Sequence, residues 1–205
     1  GLVDYSFCVG QFIEKWYGTK CDNILWGAAD QVAIKNIKSK WDFIFYGRYE
    51  DDTGIEYYVK AFKKISAVRP ESKMIAVGWG SLEERIKKYS RENNLSIEFH
   101  KPVRDISSLL SQSRVAFVSG YLSIIESALQ KKPIVSYWNT PIKRDYLATH
   151  PLAEYLNISK SSDQIAKYAL ASLSPNSFHI NKSFEWAKKQ TWDYIADQYE
   201  KAYQW

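Results

Sequence analysis

A chain of 205 residues with 45% hydrophobic and 25% charged residues has the makeup of an ordinary globular protein, large enough for one generous domain or one domain plus part of another. Its formal charge of +5 suits a polyanionic ligand or an acidic membrane face, but Lys and Arg alternate with Glu and Asp, which argues against a nucleic-acid partner. No apolar run reaches the ~18–20 residues of a membrane span and no signal-peptide pattern stands at the start, so a cytoplasmic protein, peripheral to a membrane at most, is expected.

Cys8 and Cys21 make neither a metal knuckle nor a disulfide framework, and the expectation is two free thiols, at least partly buried, in a reducing compartment. Val3 to Val9 reads as a strand, Gln11 to Tyr17 as a short helix and Asn23 to Trp26 as a strand. A strong strand follows at Trp41 to Tyr46. The helix after Gly54 sets Ile55, Tyr58, Val59, Phe62 and Ile65 on one face and stops before Pro70. Met74 to Val77 is the next strand, and Ser81 is placed to cap a helix with Leu82, Ile86 and Tyr89 inward.

Ile97 to Phe99 reads as a strand, Asp105 to Gln112 as a short helix and Val115 to Val118 as a buried strand. A Ser-Gly turn, a helix carrying Glu126 and a strand at Ile134 and Val135 complete a right-handed crossover unit. From Tyr137 to Pro151 the chain reads as loose. A helix follows near Ser162 to Leu173, and the tail from Lys182 to Tyr203 reads as one long amphipathic helix with Phe184, Trp192, Ile195, Tyr199 and Tyr203 as its apolar positions. The alternation predicts an α/β fold, a Rossmann-like doubly wound parallel sheet with helices on both faces. An aromatic share of 16%, with 8 Trp and 15 Tyr, predicts rings on a surface that meets a partner.

Three strand-end loops should meet at the carboxyl edge of that sheet. The first carries Gly47 and Arg48, a guanidinium able to fork onto phosphate oxygens or else to pair with Glu50 or Asp51. The second carries Gly78 and Gly80, which let backbone come close to a ligand or serve tight packing alone. The third is Ser119-Gly120-Tyr121-Leu122, the start of a helix whose free N–H groups attract anions. Glu126, one and a half turns further on, lies among Ile124, Ile125, Ala128 and Leu129, where an unpaired carboxylate is costly. It is suited to ribose hydroxyls rather than to phosphate. His100, His150 and His179 lack the spacing of a metal cluster, and no serine-hydrolase or P-loop motif occurs.

Taken in order, these segments resemble the C-terminal, donor-nucleotide-binding domain of GT-B glycosyltransferases, group 1 or family 4-like. FIFYGRYEDDTGIEYYVKAFKKI is similar to the family's strand–GR–loop–G–helix segment, MIAVGWGSLEERIKKY to its V-G-x-G-x-L segment, and SGYLSIIESALQKKPIV to its E-A-x-x-x-x-x-P-V segment. NILWGAAD looks like the hinge. The resemblance implies transfer of a sugar from a nucleotide-diphosphate donor. It places the diphosphate on Arg48 and on the N–H groups of Tyr121 and Leu122, the ribose on Glu126, and the base beside His100, Lys101 and Val103. No catalytic residue, metal or other cofactor follows from it. It divides the chain into a remnant of the first domain and hinge (1–30), the nucleotide-sugar domain (31–177) and a helix crossing back (178–205). It also implies a partner, either the rest of the enzyme or a separate acceptor-binding subunit, without which the chain is inactive. Departures from the pattern are Thr53 where a Lys usually follows the GR loop, Val118 where many retaining members carry a second Glu, and Trp26 at the hinge Asn. Retention and inversion of the anomer both stay compatible with this pattern. A non-catalytic nucleotide-binding or scaffolding module with the same fold is the alternative.

Overall fold

A computed structural model describes residues 5–34 and 37–203. Val3, where the first expected strand begins, lies outside the described residues. The chain opens with a small unit: β1 (Phe7–Cys8), α1 (Phe12–Tyr17) and β2 (Asn23–Ile24), the two strands paired in parallel. The main body follows as β3 (Trp41–Arg48), α2 (Ile55–Val68), β4 (Met74–Trp79), α3 (Glu83–Glu92), β5 (Ile97–His100), α4 (Ser107–Ser111), β6 (Ser113–Phe117), α5 (Tyr121–Leu129), β7 (Ile134–Tyr137), α6 (Pro141–Ala148), β8 (Asn157–Ser159) and α7 (Ser162–Ala171). Two helices end it, α8 (Ser177–Ala187) and α9 (Trp192–Tyr203). The sheet runs β5-β4-β3-β6-β7-β8 with every pairing parallel. The direction of strand order reverses between β3 and β6, which is where such sheets open a crevice.

The central strands are apolar on both faces because helices cover both. Successive side chains of a strand point to opposite sides. Phe43, Phe45, Met74, Ala76, Val115 and Phe117 therefore pack under α2, α3 and α7, while Ile44, Ile75, Val77, Ala116 and Val118 pack on the side of α4, α5, α6 and α8. Phe43 and Tyr58 each stack on Phe117, with centroids 5.2 and 4.9 Å away, which locks α2 against the middle of the sheet. Ile55, Tyr58, Val59, Phe62 and Ile65 are all buried, as their spacing predicts.

Four expectations need correction. The loose stretch after β7 contains α6, entered through Thr140, whose hydroxyl accepts from the Lys143 N–H, and Pro141 in the first helical position. The expected long tail helix is two helices. Thr191 restarts the second, its hydroxyl accepting from the Tyr194 N–H at 3.0 Å. Ser81 does not cap α3; its N–H and hydroxyl donate to the Glu50 carboxylate at 2.8 and 2.5 Å. Cys8 and Cys21 are not free thiols but are joined to each other, Cα atoms 5.7 Å apart, so the argument from free thiols to a reducing compartment loses its premise. Their bond ties β1 to the segment entering β2.

Candidate functional site

The carboxyl ends of β3 and β4 run side by side, Gly47 paired with Gly78 and Arg48 with Trp79. That pairing is closer than side chains allow. A Cβ on Gly78 would sit 1.9 Å from the Gly47 carbonyl oxygen, and Gly78 holds φ +153°; a Cβ on Gly80 would meet the Tyr49 backbone at 2.5 Å. The glycines of the second loop thus seat it against the first, and the Glu50 carboxylate fastens the two through Ser81. The Thr53 hydroxyl, its one proton shared between the carbonyls of Arg48 at 2.8 Å and Glu50 at 2.7 Å, folds the first loop back on itself.

The third loop is fixed from below. The Ser119 hydroxyl accepts from the Tyr137 N–H at 2.8 Å and lies 2.7 Å from the Tyr58 hydroxyl, so it anchors the turn to β7 and α2. At the start of α5 the Tyr121 N–H donates to the Tyr146 hydroxyl at 2.6 Å, and the Tyr121 ring stacks on Tyr146 at 3.7 Å. Tyr121 is therefore a structural residue whose N–H is already engaged. Among the described residues the Leu122 N–H has no acceptor, and neither have those of Gly120 and Ser123, so the helix start keeps donors for a ligand.

Two hollows lie along this edge and share Tyr46, Gly47, Arg48 and Glu126. One, about 340 Å³, is completed by Val77, Gly78, Trp79, Pro102, Val103, Arg104 and Ile106. The other, about 760 Å³, extends past Thr53, Ser119 to Ser123, Lys143 and Tyr146 to Val9, Trp26 and Gly27 of the first unit. Together they have the dimensions of a site for a small organic ligand. Arg48 reaches one carboxylate, Asp52, at 2.9 Å rather than Glu50 or Asp51. With 68% and 55% of the two side chains exposed, the pair holds Arg48 by no more than about 0–1 kcal/mol and yields readily to a stronger anion.

Glu126, half-buried, lines both hollows. Burial raises its carboxyl above the ordinary range, against a hydrogen bond from Tyr46 that lowers it. The Tyr46 phenol, pushed up by burial and by the Glu126 charge, has one proton to share between Glu126 and the Ser123 carbonyl 2.6 Å away. Lys143 is a second cation on the wider hollow. Its pKa is lowered to about 8 by burial, with Asp52 raising it and Arg48 lowering it further.

The structure thus brings Gly47, Arg48, Gly78, Ser119, Gly120, Tyr121, Leu122, Glu126 and Val103 to the two hollows. Gly80 is packed against Tyr49 and lines neither. His100 and Lys101 turn aside to Glu98 and Glu83, at 3.7 and 3.5 Å. Trp79, Arg104 and Lys143 had no place in the sequence reading. Trp79 stands between two glycines already singled out, while Lys143 was hidden in a stretch read as a loop.

Residues 29–179 match the family Glycosyl transferases group 1. No curated protein matches the chain in sequence. Among solved structures, the pneumococcal O-GlcNAc transferase GtfA in complex with UDP and GlcNAc superposes with a TM-score of 0.73 at 16% identity, over 98% of this chain and 44% of that one. A variant of S. aureus TarM in complex with Fondaparinux, alpha-GlcNAc-glycerol and UDP gives 0.69 at 15%, over 95% and 43%. A glycosyltransferase from Rickettsia africae gives 0.71 at 14%, over 97% and 62%. At such identities the likeness is one of fold, and the chain spans less than half of the first two proteins. Among the described residues no helix is long and apolar enough to cross a membrane.

Proposed function

Because the chain belongs to the glycosyl transferases group 1 family, we propose that it is the donor-binding half of an enzyme that transfers a sugar from a nucleotide diphosphate to an acceptor. The observation that carries this reading is the pair of adjoining hollows at the carboxyl edge of the sheet, both lined by Arg48 and Glu126. Arg48 exchanges Asp52 for the diphosphate. Gly47 and Gly120 leave room for it, and the Leu122 N–H at the start of α5 adds one donor. A helix terminus alone contributes only ~0.3–1 kcal/mol, so the guanidinium is the larger part. Glu126 accepts from ribose hydroxyls with Tyr46 behind it. The base lies toward Trp79 and Val103, whose exposed apolar surfaces border the narrower hollow. No metal is assigned to the site.

In this reading catalysis is electrostatic: fixed positive groups stabilise the leaving diphosphate as the glycosidic bond breaks. The acceptor groups come from the rest of the enzyme or from a separate subunit. Exposed Val9, Trp16, Tyr17, Trp192 and Tyr194 on the first unit and α9 supply apolar surface for that partner. That UDP accompanies several structures of like fold makes it the first probe. Titration calorimetry with UDP, GDP and ADP is expected to give saturable heat with one of them, and Arg48→Ala to weaken it well beyond tenfold. Absence of heat with all three would falsify the donor reading and favour a scaffolding module.

A further inference from the structure

The wider hollow holds two cations within electrostatic reach of each other, yet only one of them is ion-paired. Arg48 is paired with Asp52. Lys143, from the first turn of α6, makes no ion pair among the described residues. Its ammonium lies 4.2 Å from the centroid of the Tyr146 ring, and Tyr146 is itself fixed by the Tyr121 N–H and by stacking. The backbone at Lys143 is pinned as well, through its N–H to Thr140. Asp52 favours the Lys143 charge by more than Arg48 opposes it, but burial outweighs both, so the half-buried ammonium is in an unfavourable place until a further anion arrives.

Thr53 adds nothing to the charge of the opposite wall. Its side chain is uncharged, and its hydroxyl is engaged by the Arg48 and Glu50 carbonyls. The loop of β3 therefore brings one cation to the hollow and α6 brings the other.

We propose that Lys143 is the second diphosphate-binding cation of this site, gripping the phosphate oxygens from α6 while Arg48 grips them from the end of β3. The inference rests on the donor reading above and deepens it. Only the ammonium form does this work. Lys143 in the free protein titrates at about 8, and a bound diphosphate favours its charged form. The contribution is thus full below that value and fades as the pH rises through it.

The titratable groups around Lys143 are its helix neighbours Arg144, Asp145 and Tyr146, together with Tyr46, Arg48, Asp52, Tyr121 and Glu126, which line the same hollow. Burial pushes Tyr121 and Tyr146 upward, away from that window, and hydrogen bonds from Lys15 and Trp16 hold Asp145 below the ordinary carboxylate range. A nucleotide phosphate, with its last pKa near ~6, is fully ionised there too.

The test is titration of the 205-residue chain with UDP (GDP or ADP if that is the one bound) at pH 7 and at about pH 9.5. Wild-type affinity is expected to fall about tenfold between the two. Lys143→Gln should start about tenfold weaker at pH 7 and stay flat, whereas Lys143→Arg should keep the affinity and lose the pH dependence. If Lys143→Gln binds as wild type at both values while Arg48→Ala does not, the assignment of Lys143 is overturned and the donor reading stands. Should Lys143→Gln fail to fold, Lys143→Arg decides alone: a wild-type fall with pH in that variant overturns the proposal. No heat from wild type with any of the three nucleotides overturns both.

Discussion

Glu126 is the residue at which stability and binding pull in opposite directions. Its folded pKa is raised, chiefly by burial. A carboxyl so raised favours the folded state in its protonated form, and that contribution is fully present below the unfolded pKa and lost as the pH rises through the folded one. At neutral pH the carboxylate is thus a charge the fold would rather not hold. Glu126→Gln is expected to raise the thermal midpoint at pH 7 relative to wild type, with the difference vanishing toward pH 4. It should also weaken nucleotide affinity by about tenfold, because an amide oxygen accepts fewer hydroxyls than a carboxylate. A variant neither more stable nor weaker in binding would remove Glu126 from the site. Arg48 and Glu126 were legible because each breaks a local pattern, one a guanidinium ending an apolar strand, the other an acid inside an apolar helix face. Lys143 breaks no pattern. It is one of several cations in a polar stretch, and only folding shows which of them is half-buried.

Elements decide whether those side chains meet. The ends of β3 and β4 approach closely enough that Gly78 has no room for a Cβ beside the Gly47 carbonyl. Gly78→Ala is expected to cost ~2–4 kcal/mol, through both the contact and the backbone angle, and to splay the Arg48 loop from its neighbour. Chemical denaturation reads the first effect and calorimetry the second, and an unchanged midpoint would mean that the loops are not packed as described. Strands and long helices were legible from period alone, since β3, β4 and β6 carry apolar runs and α2 repeats its apolar residues every three or four positions. The shorter elements needed their caps to be read. Thr140-Pro141 and Thr191 are N-terminal signals that mark α6 and the start of α9, and aromatic periodicity from Phe184 to Tyr203 concealed the second of them. The Ser81 capping role failed because α3 begins only at Glu83, with Leu82 in the cap position, and Ser81 is instead held by the Glu50 carboxylate of another loop.

At the scale of the whole molecule the parallel sheet and its two helical layers follow from the alternation of elements, while the way the first unit is held does not. Two strands in parallel are a marginal sheet by themselves. What fastens them is the Cys8–Cys21 bond across a separation of 13 residues, worth about 3 kcal/mol in the chain-entropy account, and contacts no local pattern reveals. The Trp16 indole donates to Asp145 of α6 at 2.8 Å, and Trp192 donates to Asp30 at 3.0 Å. Reduction with a phosphine should therefore loosen β1, α1 and β2 selectively, seen as faster amide exchange there. Its effect on UDP affinity should be smaller than that of Arg48→Ala, and exchange that rises equally across β3 to β7 would contradict this.

The Phe7 ring lies 4.4 Å from that of Tyr199, and the Asn23 amide donates to Gln198 at 3.2 Å. Both extremities of the described chain are thereby fastened on one flank, next to the residues (Val9, Trp26, Gly27) that rim the larger hollow. In the donor reading a bulky group on that flank would crowd the larger hollow. Reporter dyes are better attached at Val68, 70% exposed at the far end of α2, where they watch the pocket without obstructing it.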